Sequence, residues 1–456
     1  MDDSGGERDW TSRARICIDF GTALSKASIC LDPMLPLEVG VKPLPIGAIS
    51  GAEHPLLTPS VIYVDGGRIY FGPMALEHAR RGVETARDPL ISFKTVLGAT
   101  NVQEALNSRL RPSMDPTGTL IQRDALVLYI AYLDQLIREA LELAPNMPNG
   151  VAAAKRRYTS PVWRPGSGVD LAFESIFNEA AAISQRLGRL FLEQGEGISI
   201  AQCKDALDRA AATPGNGQLE TGIFEPHAAA AAALAFTSQP TRYVMVLDIG
   251  AGTNDMAAFD FDESVEPPAL SEIKEARQCS ALAGDEIDRI LIELMLRKAG
   301  FDRNNPDDMR TLRAARLTAR ELKKDIFRHG KCIIRVGRKT ITVIAKELAE
   351  DPAFRTYQQS LAQTIAASLR AVAARARQSG GTSIDVVLAG GGAHLPFLPA
   401  LVQHAGNSVA EGINLRIGAL SPANPLYTSI DASLREVFPQ IAMSVGGALV
   451  EMMPAR

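Results

Sequence analysis

The sequence predicts an α/β protein of two related lobes, and three observations carry that prediction. First, residues 16–22 (ICIDFGT) and 246–253 (VLDIGAGT) repeat one pattern in separate halves of the chain: a short apolar strand ending near an Asp, then a Gly turn and a Thr. Second, each copy is followed by a returning apolar strand and then by segments of helical periodicity, so the second half repeats the plan of the first. Third, 456 residues are too many for one ordinary core and suit two. The composition agrees, because 46% hydrophobic and 22% charged residues describe a soluble globular chain. A formal charge of −4 disfavours a general nucleic-acid binder. The polar start is no signal peptide, and no apolar run reaches the ~18 residues of a membrane span. Five scattered cysteines without a C-x-x-C pair read as buried or free thiols of a reducing compartment. A cytoplasmic location with no membrane partner is therefore expected.

Taken in order, residues 1–12 read as a disordered lead-in. Residues 16–20 form an apolar strand, 21–25 its turn and 26–31 the returning strand. A Pro- and Gly-rich passage then leads to a second hairpin, 60–64 with 68–71, over the turn Asp65-Gly66-Gly67. Residues 75–87 read as a polar helix, apolar residues at helical spacing predict a long amphipathic helix at 125–143, and further helices are expected at 169–192 and 200–212. After a loop over 213–222, an Ala-rich helix at 228–236 suits close packing. The second half runs strand 243–249, turn 250–254, return strand 255–261, and helices 285–298 and 310–327. A hairpin of 332–336 with 340–344 and a long helix at 357–378 follow. Strand 384–389 ends in Gly390-Gly391-Gly392, and helices at 394–405 and 441–451 close the chain. Lobe I is expected at 13–224, with 426–456 crossing back to it, and lobe II at 225–425. A small subdomain is expected in each, near 35–115 and 285–350.

The Gly turns carry the chemistry. Gly lets the backbone bend sharply and approach a phosphate, so that successive N–H groups point at it. A carboxylate beside such a turn suits hydrated Mg²⁺, which takes one or two carboxylates, waters and phosphate oxygens. Asp19 with Gly21, Thr22 and Ala23, and Asp248 with Gly250, Ala251, Gly252 and Thr253, are candidates for paired phosphate hairpins facing each other across a cleft. The plainer reading of either Asp is a turn cap, and of Thr253 a β-former in a turn.

Five segments, in order, resemble the nucleotide-binding fold shared by actin, sugar kinases and the seventy-kilodalton heat-shock chaperones. Asp19-Phe20-Gly21-Thr22 resembles the first phosphate loop, and Phe224-Glu225-Pro226 with its alanines the first connecting helix. Residues 248–255 (DIGAGTND) resemble the second phosphate loop, and 387–392 (VLAGGG) the adenosine loop. Ser444-Val445-Gly446-Gly447-Ala448 resembles the second connecting helix. The chaperone branch is nearest. Thr58-Pro59-Ser60-Val61, Phe71-Gly72, 92–98 (SFKTVLG), Ser160-Pro161-Val162-Trp163 and 282–288 (LAGDEID) follow its order, so the resemblance spans about 14–452.

The resemblance implies a two-lobed actin-like ATPase fold, each lobe a mixed sheet of ribonuclease-H-like topology flanked by helices. It implies ATP or ADP with Mg²⁺ in the cleft, Asp19 and Asp248 holding the metal through water. Thr253 would lie beside the γ-phosphate, Asp255 would orient the attacking water, and Glu225 would link nucleotide state to lobe movement. Gly284, Lys323, Gly390, Gly391, Gly392 and His394 would line the adenosine side. Lys323 belongs to a Glu-x-x-Lys pattern for which two registers compete, Arg320 with Lys323 or Glu321 with Lys324. Plain readings stand beside these: Glu225 as a helix-dipole charge, Asp255 as a strand-start residue, and the Gly run as an ordinary strand-to-helix turn. The arginines and lysines between Arg313 and Arg328 read as a solvated helix face rather than a nucleic-acid patch. His78 and His404 read as surface residues, and His227 as a helix-start residue.

Two departures matter. The chaperone pattern puts a catalytic Lys four residues beyond Gly72, where this chain has Leu76; Arg80, Arg81 and Lys94 are the candidates to replace it. His394 stands where the chaperones carry Arg, and their peptide-binding domain is not expected here. The expected function is that of a heat-shock-70-like ATP-binding protein, a Mg-dependent ATPase, slowed by Leu76, whose lobe angle is read by an unidentified protein partner. The alternatives are an ATP-sensing pseudo-enzyme, a filament-forming actin-like protein and a small-molecule kinase. Oligomerisation stays open.

Overall fold

In the computed structural model the described residues are 13–32, 35, 37–85, 87–161, 166–193, 195–212, 219–220, 222–237, 239–265, 269–302, 304–336, 339–419 and 430–449. The expected lead-in at 1–12, most of the loop at 213–222, Val162 and Trp163 of the motif at 160–163, and the end of the last helix lie outside them.

Strands β1 (Arg15–Asp19), β2 (Leu24–Cys30), β3 (Val41–Pro43), β4 (Lys155–Ser160) and β5 (Ile223–Phe224) form one mixed sheet in the order β5-β4-β1-β2-β3. Strands β6 (Tyr243–Ile249), β7 (Asn254–Asp262), β8 (Ala269–Glu272), β9 (Ser383–Ala389) and β10 (Asn414–Ala419) form a second in the order β8-β7-β6-β9-β10. The two orders are the same, and so are the directions. In each sheet the first strand runs antiparallel to the second and parallel to the fourth. The third is antiparallel to the second, and the fifth is parallel to the fourth. The first strand of each sheet is thus central and must be apolar, and every residue of β6 is buried.

The helices cover these sheets. The longer ones among the described residues are α1 (Gly72–Arg81), α2 (Gln122–Leu143), α3 (Gly168–Leu187), α4 (Ile200–Ala212), α5 (Glu225–Phe236), α6 (Gly284–Ala299), α7 (Pro306–Leu317), α8 (Ala319–His329), α9 (Pro352–Gln378), α10 (Leu398–Asn407) and α11 (Phe438–Ala448). A smaller sheet of four strands sits in the first half: Leu90–Ile91, Val61–Asp65, Arg68–Phe71 and Ile198–Ser199. Its last strand comes from outside 35–115. In the second half the corresponding piece is the hairpin Lys331–Val336 with Lys339–Ile344. Among the described residues no helix is long and apolar enough to cross a membrane.

Three expectations need correction. The helix predicted at 310–327 is two, α7 and α8, broken at Thr318, whose hydroxyl donates to the Ala314 carbonyl at 2.9 Å. No Pro or Gly marks that break. The helix predicted from His394 begins instead at Leu398, because Pro396 disfavours helical backbone at Leu395. His394 ends a short 3₁₀ turn, Gly391–His394. The helix predicted at 75–87 stops at Arg81, before Gly82.

Helices α5 and α11 join the halves. Alanines of α5 share an apolar cluster with Val244, Val246 and Phe259 of the second sheet. Helix α11 lies on the first sheet, where the Ser444 and Ser28 hydroxyls meet at 2.8 Å. The two helices touch at Gly446, where a Cβ would fall on the Ala228 carbonyl, 2.7 Å from its carbon. A Cβ on Gly447 would meet Cys17 of β1 instead. The two glycines of α11 therefore let it press on the α5 backbone on one side and on Cys17 on the other.

Candidate functional site

Each central strand delivers an aspartate to its end, and the two ends meet. Asp19 closes β1 and is 1% exposed; Asp248, the residue before the end of β6, is 4% exposed. Glu225 opens α5 and Asp255 is the second residue of β7, both buried. The charges of Glu225, Asp255 and Asp19 all act on Asp248, so four carboxylates share one dry region. Two lysines enter it. Lys94 donates to Glu225 Oε1 at 2.8 Å, and Lys26 forms an ion pair with Asp19 Oδ2 at 2.8 Å. Thr159 on β4 donates to the other Asp19 oxygen at 3.0 Å.

Two lysines against four carboxylates leave a surplus of two negative charges if all are ionised, and the acids respond. Burial pushes Asp248 well above its ordinary value, and the Glu225 and Asp255 charges add to it. Burial raises Glu225 too, opposed by Lys94. Asp248 Oδ1 is buried with no hydrogen-bond partner. The Cys279 thiol, on the strand beside β7, is bonded to Asp255 and raised to about 12, first by burial and then by the Asp255 charge. An orphaned carboxylate oxygen in a site short of two positive charges fits a hydrated divalent cation. Among the described residues no cluster of three or more His, Cys, Asp or Glu is arranged to grip a metal directly, so water or a bound anion would have to complete the shell.

The Gly turns surround this cluster. The first turn is braced by Ser60, whose hydroxyl donates to the Gly21 carbonyl at 2.7 Å and whose N–H donates to the Ala23 carbonyl at 2.9 Å. The second is tight, with Gly250 N–H donating to Thr253 O at 3.0 Å. It is held from outside by α6, where Gly284 and Asp285 N–H groups donate to the Gly250 and Ala251 carbonyls at 3.0 and 2.8 Å. The turns face each other: a Cβ on Gly252 would lie 3.0 Å from methyl groups of both Thr22 and Thr95. Gly390 has φ +74°, and a Cβ there would strike the Asp248 carboxylate and come within 2.6 Å of Ile249 O. Gly391 stands open, whereas Gly392 packs on Ile249.

The competing basic registers separate. Lys323 donates to Gly284 O at 2.8 Å and pairs with Asp288 at 2.9 Å, and Arg320 lies 3.7 Å from Asp285. Both therefore point at the second turn. Glu321 faces out and meets Arg80 at 3.3 Å. The basic stretch is thus largely spent on contacts within the chain. His394 is exposed, and its Nε2 lies 2.9 Å from the Glu436 carbonyl, a contact at the ring edge that fixes the imidazole plane. His227 is buried and packs on Phe259, and His78 stacks on Tyr70.

Leu76 packs in an apolar cluster with Val61, Tyr63 and Leu317. Arg80 and Arg81 pair with Glu321 and Glu77 on the surface. Lys94 alone of the three replacement candidates reaches the carboxylates. Sequence reasoning missed Lys26, Ser60, Ser92, Thr159 and Cys279 as parts of the site. Lys26 was legible in principle, being seven residues after Asp19 on a two-strand hairpin. Ser92 was not: it has φ +53° and its hydroxyl crosses to Asp285 at 2.6 Å. Compared with models of protein families and with curated proteins, the sequence finds no match.

Proposed function

We propose that this protein binds ATP or ADP with Mg²⁺ between its two Gly turns and hydrolyses ATP slowly, as an actin-like, heat-shock-70-like ATPase whose sheets have ribonuclease-H-like topology. The carrying observation is the meeting of two like hairpins at one buried cluster, with Asp248 Oδ1 lacking a hydrogen-bond partner and a surplus of negative charge. Backbone turns at Gly21 and Gly250–Gly252 would hold phosphates, with Thr22 and Thr253 beside them. Gly390 and Gly392 would take the adenosine side, with Lys323 at the second turn.

Bound Mg²⁺, held through water near Asp19 and Asp248, would offset charge on the transferring phosphate. The chain's own groups would do the rest. Glu225 and Asp255 would orient a water and hold its proton, and Lys94, which donates to Glu225 at 2.8 Å, would hold that carboxylate in position. The Lys94 contact joins a segment of the first half to the helix that starts the second, so its state is linked to the angle between the halves. That angle is the output a partner protein would read.

Titration with a fluorescent ATP analogue and Mg²⁺ tests the reading. Saturable binding is expected, lost in Asp248→Ala; unchanged binding by the variant refutes the site. Single-turnover hydrolysis at background, with binding intact, refutes the ATPase and leaves a nucleotide sensor.

A further inference from the structure

We infer that Lys26 is a gate for divalent cations: its ammonium occupies the cation position at Asp19, so the ligand-free cleft excludes a bare divalent ion and admits one only with an anionic ligand. The exclusion rests on contacts within the chain; the admission rests on the nucleotide reading above.

The two hairpins differ at one equivalent position. In the first, Asp19 on β1 stands in register with Lys26 on β2. In the second, Asp248 on β6 stands in register with Asp255 on β7. Directly opposed residues share a face, so one hairpin sets a cation against its aspartate and the other sets a second acid against it. The shared backbone plan does not require this difference. Its result is visible in the oxygens. Asp19 is engaged at both, by Lys26 and by Thr159, whereas Asp248 keeps one oxygen without a partner.

A divalent ion needs carboxylate oxygens from this cluster, and at Asp19 it would meet an ammonium 2.8 Å from the oxygen it seeks. Like charges at that range in a buried site repel strongly. Lys26 is 7% exposed, so it has little solvent to retreat into. It also lies over the first turn, 3.2 Å from where a Cβ on Gly21 would be. An anion arriving at that turn offers Lys26 another partner and releases Asp19 to the ion that came with it.

Mn²⁺ binding to the ligand-free protein, followed by electron paramagnetic resonance, tests the gate. Wild type is expected to bind no more tightly than about 1 mM, the range of weak divalent sites. Lys26→Met should bind Mn²⁺ at least about tenfold tighter, because an unpaired buried carboxylate then seeks a counter-ion, and Asp19→Asn in that background should remove the gain. Lys26→Arg, which keeps the charge, should behave as wild type. Tight Mn²⁺ binding by wild type overturns the inference, whatever the variants do, and so does equal binding by wild type and Lys26→Met. If Lys26→Met does not fold, Lys26→Gln replaces it against Lys26→Arg, and equal binding by those two is again fatal. Failure of any ATP analogue to bind refutes the nucleotide reading instead, while the Mn²⁺ comparison still decides the exclusion.

Discussion

Replacing Lys94 by Met keeps most of the side chain's bulk and removes its charge. Lys94 and Glu225 are 2.8 Å apart and their side chains only 7% exposed, so Glu225 would be left buried without its cation. It then has two courses. Keeping its charge costs roughly 3–5 kcal/mol, the usual effect of breaking a buried pair. Taking a proton costs about 1.4 kcal/mol for each pH unit above its ordinary value of 4.5. That is about 0.7 kcal/mol at pH 5 and about 3.4 kcal/mol at pH 7, so protonation is the cheaper course in acid. The sign follows from proton binding. Burial already holds Glu225 above its ordinary value, and losing Lys94 removes the largest influence pulling it down. A folded state with the higher pKa binds more protons than the unfolded chain between the two values. Stability therefore falls as pH rises through that interval and levels above it. Urea unfolding at pH 5 and pH 7 should show a small loss for Lys94→Met at the lower pH and a loss of several kcal/mol at the higher. Adding Glu225→Gln should flatten the pH dependence and restore much of the stability. A loss independent of pH, or a double variant no better than the single, would refute the reasoning.

Three further outcomes are expected. Asp248→Asn removes a carboxylate that burial and its acidic neighbours hold well above the ordinary range, so the ligand-free variant should melt higher than wild type at pH 8 and alike near pH 4. The same variant should lose stabilisation by Mg²⁺ with ATP, and a variant that melts no higher at pH 8 contradicts the account. Ser92→Ala breaks the hydroxyl contact to Asp285 that crosses between the halves, a loss of about 1–2 kcal/mol, and hydrogen exchange at 93–98 should speed up. Gly446→Ala forces a methyl group onto the Ala228 carbonyl and should cost at least about 2 kcal/mol, read by thermal unfolding; an unchanged melting temperature would mean that α5 and α11 part easily.

The periodic elements were legible because their signals are local. Strand 243–249, helix 200–212 and the Asp65-Gly66-Gly67 hairpin lie where alternation, helical spacing and turn residues put them. Short edge strands such as Val41–Pro43 and Ala269–Glu272 were not legible. They carry too few residues for a period and exist because a neighbouring strand offers hydrogen bonds. The break at Thr318 is of the same kind, since the local sequence reads as continuous helix there. Among site residues, Asp19 and Asp248 announced themselves by position after a buried strand and before a Gly turn. Lys94 was one of three equal candidates, and only packing separated it from Arg80 and Arg81.

The order of residues along the chain thus determined the duplicated strand–turn units, the acids that end them and the small residues that let α5 and α11 touch. All of these depend on neighbours within a few positions or on the absence of a side chain. Tertiary structure decided which charges meet. Glu225 and Lys94 stand 131 residues apart, and Thr159 and Asp19 stand 140 apart. A pair that distant forms only when sheets and helices bring its ends together, and once the pair is buried, desolvation makes the choice of partner decisive. Local pattern therefore named the carboxylates, whereas their counter-charges, and the burial that leaves Asp248 Oδ1 without a hydrogen-bond partner, exist only in the folded protein.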